Sequence, residues 1–148
     1  MAEPTQPFPL PRKMSPGLDT VYRYWQGLVR GGNAIPFSDD VNLSQLPDLS
    51  ADLMLIDVFA DPQRFRINRL GKHIISAYGS DITGRFVDHL DLHKPFDYLL
   101  SQSSAAVEGQ LATFYSCSSA EGDSAGYSRI LLPTWGNGQV SLLLGAIS

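Results

Sequence analysis

The sequence predicts an α+β fold: a five-stranded antiparallel sheet in strand order 2-1-5-4-3, with helices on one face and a further helix before the first strand. Three observations lead there. Strand-like runs come as a pair and a triple, separated by a block of short helices. Turn signals sit inside both groups, Asp61-Pro62 in the first and Asn137-Gly138 in the second, the latter a type I′ hairpin dipeptide. Residues 53–59 and 140–147 are apolar on both faces, so both runs belong at the centre of the sheet and next to each other.

Taken in order, residues 1–14 hold four of the ten prolines and little apolar periodicity, which predicts a disordered or extended tail before one domain over 15–148. A helix follows over residues 16–30. Ser15 suits the N-cap, Pro16 the first helical position and Asp19 the first turn, while Gly31 and Gly32 stop it. Leu18, Val21, Tyr22, Trp25, Leu28 and Val29 form one apolar stripe at helical spacing. Residues 39–50 read as a loop with a short helical turn before Pro47. The first strand spans 51–60, with Met54, Ile56 and Val58 on one side and Leu53, Leu55 and Phe59 on the other. The second spans 63–70 and places Phe65, Ile67 and Arg69 on one face and Arg64, Arg66 and Asn68 on the other, the pattern of a half-exposed edge. Short helices are expected over 71–79 and 96–109, with a loop over 88–97. Strands over 111–118, 127–135 and 140–147 complete the chain, the first two joined by the polar run "SAEGDSAG".

With 148 residues, 43% apolar and 18% charged, the chain can bury a core unaided. A net charge of −4 argues against nucleic acid, which requires a basic face. No apolar run has membrane-spanning length, no signal-peptide pattern opens the chain, and the lone Cys117 cannot close an internal disulfide, so a cytoplasmic location is expected.

The run "YGSDITGR", Tyr78 to Arg85, is the most heavily punctuated part of the sequence. Its glycines lack the Lys-Ser/Thr of a phosphate loop. It reads as a rigid corner: Gly79 as a left-handed helix end, Asp81 bonding nearby amides, Thr83 and Gly84 continuing the turn, and Arg85 holding carbonyls or Asp88. Gly71 opens the preceding helix. His89 and His93 have i, i+4 spacing, but no third ligand accompanies them, and a polar loop without metal is expected. His73 suits a surface or capping role, and Cys117 a small strand residue. No serine occupies a nucleophile elbow, and no constellation asks for catalysis.

Four stretches, "YRYWQGLVRGGNAIPFSDDV", "FRINRLGKHI", "YGSDITGR" and "RILLPTWGNGQVSLLLGAI", in this order and spacing resemble a PAS domain, in particular a bacterial subfamily (PAS subfamily 5) of small single-domain proteins once filed as a domain of unknown function. The resemblance runs from Leu18 to Ile147. The polar insert from Glu121 to Gly126 has no counterpart in it. It implies a sensory or signalling adapter that binds a small ligand, a protein partner or both, and passes its output to another signalling protein. The expected pocket lies between the sheet and the helices, lined by Ile74, Ile75, Tyr78, Phe86, Leu99 and Leu100, and would take a small apolar or amphipathic ligand. Flavin is disfavoured because the Asn-Cys-Arg motif of flavin-bonding PAS domains is absent. Haem through His73 is a minor branch, so the cofactor stays unassigned. PAS domains commonly pair through the outer face of the sheet, which makes the stripe from Leu18 to Val29 the expected homodimer surface, unless that helix folds back on its own sheet. A small α+β ligand-binding metabolic enzyme and a ligand-free structural interaction module are the alternatives.

Overall fold

A computed structural model describes residues 8–117 and 126–148. Five strands, β1 (Leu53–Phe59), β2 (Arg64–Leu70), β3 (Thr113–Cys117), β4 (Tyr127–Gly136) and β5 (Gln139–Ile147), form one antiparallel sheet in the order β2-β1-β5-β4-β3. This is the predicted order. The two strands that are apolar on both faces lie at its centre, Leu53 opposite Ala146 and Ile56 opposite Leu143. Asn137 and Gly138 both take positive φ, 55° and 81°, as the hairpin between β4 and β5 demands.

The second strand departs from simple alternation. Leu55 faces Arg69 while Ile56 faces Ile67, which leaves Asn68 as an extra residue in β2. The bulge moves Arg69 away from the face of Phe65 and Ile67 and turns Leu70 inward, where it is buried. The expectation that Phe65, Ile67 and Arg69 share a face is corrected accordingly.

Among the described residues there are three α-helices, α1 (Pro16–Gly27), α2 (Lys72–Tyr78) and α3 (Leu99–Gly109), and 3₁₀ segments at Ser38–Asp40, Leu43–Gln45, Pro47–Asp52 and Val87–His89. The turn at Leu43–Gln45 is the one expected before Pro47; Asn42 caps it by accepting from the Ser44 N–H at 3.1 Å. α2 and α3 cover one face of the sheet, and α1 crosses the other against β4 and β5. α1 is shorter than predicted. It ends at Gly27, not Arg30, with the Leu28 N–H bonded to the Trp25 carbonyl at 3.1 Å. Arg30 is drawn off to a two-pronged pair with Asp40 at 2.7 and 2.8 Å. Ser15 holds the N-cap position, but its hydroxyl has no partner; its carbonyl accepts from Asp19 N–H instead.

The apolar stripe of α1 is consumed within the chain. Leu18 and Val21 are each 1% exposed and Trp25 6%, while Tyr22, Leu28 and Val29 are half-buried. The Trp25 indole N–H donates to the Pro133 carbonyl at 2.9 Å. The stripe thus faces the chain's own sheet, the alternative set beside the homodimer surface: the outer face of the sheet is apolar, and this helix covers part of it. Pro133 fits because β4 has run past the end of β3 there, where a missing N–H breaks no ladder bond.

Both sheet edges are met by passing chain. The Gly84 N–H donates to the Ile67 carbonyl at 2.6 Å and the Ile67 N–H to the Arg85 carbonyl at 2.8 Å, along the outer side of β2. Beyond β3, the Trp135 N–H donates to the Pro36 carbonyl at 2.9 Å. The expected tail is ordered in part. Phe8 accepts from the Phe114 N–H on β3 at 3.1 Å, and Leu10 and Met14 pack on the core. Residues 1–7 lie outside the described residues, as do 118–125 and with them most of the polar insert and the predicted end of β3.

Candidate functional site

The helical side of the sheet is built from a tight start. Gly71 takes β1's Leu53 carbonyl with its own N–H at 2.8 Å, and a Cβ on it would run into the Ala51 carbonyl. Only glycine lets β2 pass so close before α2 begins. Gly79 closes α2 at φ 108°, its N–H bonded to the Ile75 carbonyl at 2.9 Å. Asp81 then accepts from the Thr83 N–H at 3.0 Å and the Thr83 hydroxyl at 2.6 Å. These bonds, the hydroxyl first, hold the Asp81 carboxyl below its ordinary pKa. Ile82, 3% exposed, pins the corner to the core. Gly84 has φ 89°, and Arg85 contributes its backbone carbonyl, not its side chain. The expected partner of Arg85, Asp88, pairs with Arg64 at 3.2 Å instead.

Nothing lies within 4 Å of the position a Cβ would take at Gly79, so only the backbone resists substitution. Gly79→Val is expected to cost about 1 kcal/mol or more, the penalty of a β-branched residue at positive φ. Urea denaturation of the variant checks this, and an unchanged midpoint would remove Gly79 from the left-handed role.

Beyond the corner, Tyr78 and His93 stack at 4.2 Å between centroids. The His93 Nε2 lies 3.0 Å from the Tyr78 carbonyl, and the Tyr78 hydroxyl donates to the Asp91 carbonyl at 2.8 Å. The His93 pKa is raised by the Tyr78 carbonyl first, against some desolvation, and then by Asp91 and Asp97. A histidine whose folded pKa exceeds its unfolded value of about 6.5 stabilises fully below that value and loses the contribution as pH rises through the folded pKa. The thermal midpoint of wild type should therefore exceed that of His93→Gln by more at about pH 5.5 than at about pH 9. A gap independent of pH would contradict the proton's role.

The six expected pocket residues do not line one cavity. Ile74 and Leu99 are core, at 2% and 0% exposure; Ile75 and Tyr78 are half-buried at the outer end of α2; Leu100 points outward at 38%. Phe86 sits beside Phe59 at 5.8 Å with the Arg64 guanidinium 3.8 Å over its ring, at the sheet edge. Phe65, Ile56, Ile67, Val87, Phe96 and Leu99, none more than 1% exposed, fill the space between the sheet and the helices.

At one end of that core lies a residue the sequence reading passed over. Arg129 on β4 is fully buried, yet no carboxylate bonds it. Its Nε donates to the Gln102 side chain at 2.8 Å, and its two terminal nitrogens donate to the carbonyls of Pro95 at 2.8 Å and Asp97 at 2.7 Å. Gln102 in turn donates to the Thr113 hydroxyl at 3.1 Å. Burial draws the guanidinium down to a pKa of about 10, opposed chiefly by Tyr127 and Tyr115 and then by Asp97. The Tyr127 hydroxyl donates to Asp97 at 2.7 Å and is itself pushed well up, by burial first and then by that carboxylate. The signal available in the sequence was one arginine inside an otherwise apolar strand.

Next to this cluster, with Pro95 in its lining, a cleft of about 380 Å³ opens between α1, the Pro47–Asp52 segment, α2 and the end of β5. Leu18, Val21, Leu49, Ile74, Ala77 and Ile147 are among its walls. At its rim His73 Nδ1 lies 3.0 Å from the Asp52 carboxylate, so His73 joins a surface pair. Of the expected pocket residues, this cleft includes Ile74. Among the described residues, no three His, Cys, Asp or Glu side chains gather as a metal site would require, and no helix is long and apolar enough to cross a membrane.

No protein-family model matches the chain, and no curated protein matches it significantly. Among solved structures it is similar to a sensory box sensor histidine kinase from Vibrio cholerae, at 18% identity over 71% of this chain and 86% of that one, with a TM-score of 0.47.

Proposed function

We propose that this chain is a PAS-type sensory module that works by changing its protein contacts and not by catalysis. One observation carries the reading. The outer face of the sheet is closed by α1, through three buried side chains and the indole hydrogen bond, beside the segment around Ser38, which bonds Thr134 and Ser141. The part under α1 can be offered or withheld by moving that helix, the kind of two-position device a sensor needs. The four sequence stretches that resemble PAS domains, and the strand order 2-1-5-4-3, support the same reading. A second copy of the chain is the proposed partner, since an apolar face uncovered in both copies can pair with itself about a two-fold axis.

Hydrogen exchange and sedimentation test this together. In wild type, α1 amides should exchange sooner than those of β5, because local opening precedes global unfolding. The double variant Leu18→Asp, Val21→Asp should stay folded but self-associate as concentration rises. A folded, strictly monomeric double variant, or α1 amides that exchange only with β5, would overturn the proposal.

A further inference from the structure

We infer that the cleft between α1 and α2 is a binding site for a small molecule with an alkyl chain and a hydrogen-bond-donating head. This rests on the sensory reading and gives it a ligand. The interior between the sheet and α2–α3 is filled by side chains at 0–1% exposure, so an incoming molecule has no room there without displacing core. The cleft has room. Its volume of about 380 Å³ falls within the roughly 300–1,000 Å³ typical of ligand pockets. Its walls are aliphatic: Leu18 and Val21 from α1, Leu49 from the 3₁₀ turn, Ile74 and Ala77 from α2, and Ile147 from β5.

Its polar lining residues are Asp52, His73 and, beyond β5, Ser148. Asp52 and His73 meet at 3.0 Å on the rim, with side chains 40% and 65% exposed. Asp52 spends one carboxylate oxygen on His73 and keeps the other as an acceptor, while an anion brought to the same spot meets its charge. A chain with a hydroxyl or amine head fits this division, and one with a carboxylate head does not. Ala77 is exposed and small, which leaves the mouth open where a larger residue would close it.

The site also joins the elements that the sensory mechanism must join. α1 supplies two of its walls, and the rest come from elements of the sheet side and α2. A molecule seated there touches Leu18 and Val21 only while α1 is docked, so it favours the closed position by its differential affinity for it.

The test is an amide NMR titration of the full chain with 1-heptanol and, separately, with heptanoate. Saturable shifts are expected in residues 17–21, 49, 74–77 and 147. Ala77→Trp should weaken heptanol binding at least about ten-fold by filling the mouth. Heptanoate should bind at least about ten-fold more weakly than heptanol, and Asp52→Asn should narrow that gap to under about three-fold. Shifts that fail to saturate, or that survive Ala77→Trp unchanged, overturn the site. A gap that Asp52→Asn leaves intact overturns the choice of head group. Hydrogen exchange of α1 separates this from the wider reading. Saturable binding that leaves α1 exchange unchanged keeps the site and sinks its coupling to α1. Absent binding, with the charged double variant still self-associating, sinks the site and keeps the module.

Discussion

Arg129→Ala is expected to destabilise the fold by about 3 kcal/mol or more. The side chain is fully buried, and truncation would leave the Gln102 amide oxygen and the carbonyls of Pro95 and Asp97 without their donors. It would also open a hole beneath Tyr115, whose ring lies 5.0 Å from the guanidinium carbon. Unlike a surface ion pair, this group is not screened by solvent, so the loss cannot be made good by water without rearrangement. Arg129→Lys should recover only part of the deficit, because an ammonium cannot reach three acceptors fixed in a planar fork. Since domains are stable by about 5–15 kcal/mol in total, the alanine variant should lose a large share of its margin. Urea denaturation with both variants decides it. A midpoint for Arg129→Ala within error of wild type would mean that the segment from Pro95 to Asp97 is held by something else.

Trp25→Ala is expected to cost about 3–5 kcal/mol, as for other buried tryptophans and phenylalanines. Trp25 is 6% exposed, stacks on Tyr22 at 5.9 Å and donates its indole proton to Pro133. The side chain therefore loses packing, and the Pro133 carbonyl loses a donor. Trp25→Phe keeps most of the area without the N–H and should fall between, which separates packing from hydrogen bonding. Calorimetry of the three proteins measures both. A loss under about 1 kcal/mol for the alanine variant would show that α1 contributes little to the folded state, against what its burial implies.

The sheet was readable because its evidence is periodic. Residues 53–59 and 140–147 carry apolar side chains on both faces, and that alone makes them central neighbours. Asn137-Gly138 announced its turn, and Gly79 its left-handed cap, because few residues tolerate those backbone angles. What stayed hidden has no period. The extra residue Asn68 reverses the sides of Arg69 and Leu70, and nothing in "RINRL" distinguishes a bulge from an unbroken strand. The stripe from Leu18 to Val29 declared an amphipathic helix but not whose sheet it would cover, since a neighbouring chain's sheet offers the same chemistry as its own. The expected pocket residues are mostly apolar positions on helices, and such positions are also the ones that fill a core: Leu99 reaches 0% exposure by doing so. Asp52 and His73 are 21 positions apart, and only the turn of β2 into α2 brings them together.

The outer side of β4 beyond β3 has a further consequence. There the strand keeps β5 on one side and has no strand on the other, where its backbone is occupied by the Trp25 indole at Pro133 and by Pro36 at Trp135. An unpaired strand rim is a template for adding foreign strands, and natural sheets blunt theirs with prolines and covering segments. Freeing α1 uncovers part of that rim along with the apolar face. On the proposed reading, the protein with α1 lifted is thus also aggregation-prone, and the stored protein should keep best under conditions that hold α1 down. Turbidity of concentrated samples should accordingly rise in the Leu18→Asp, Val21→Asp protein well before its sheet melts.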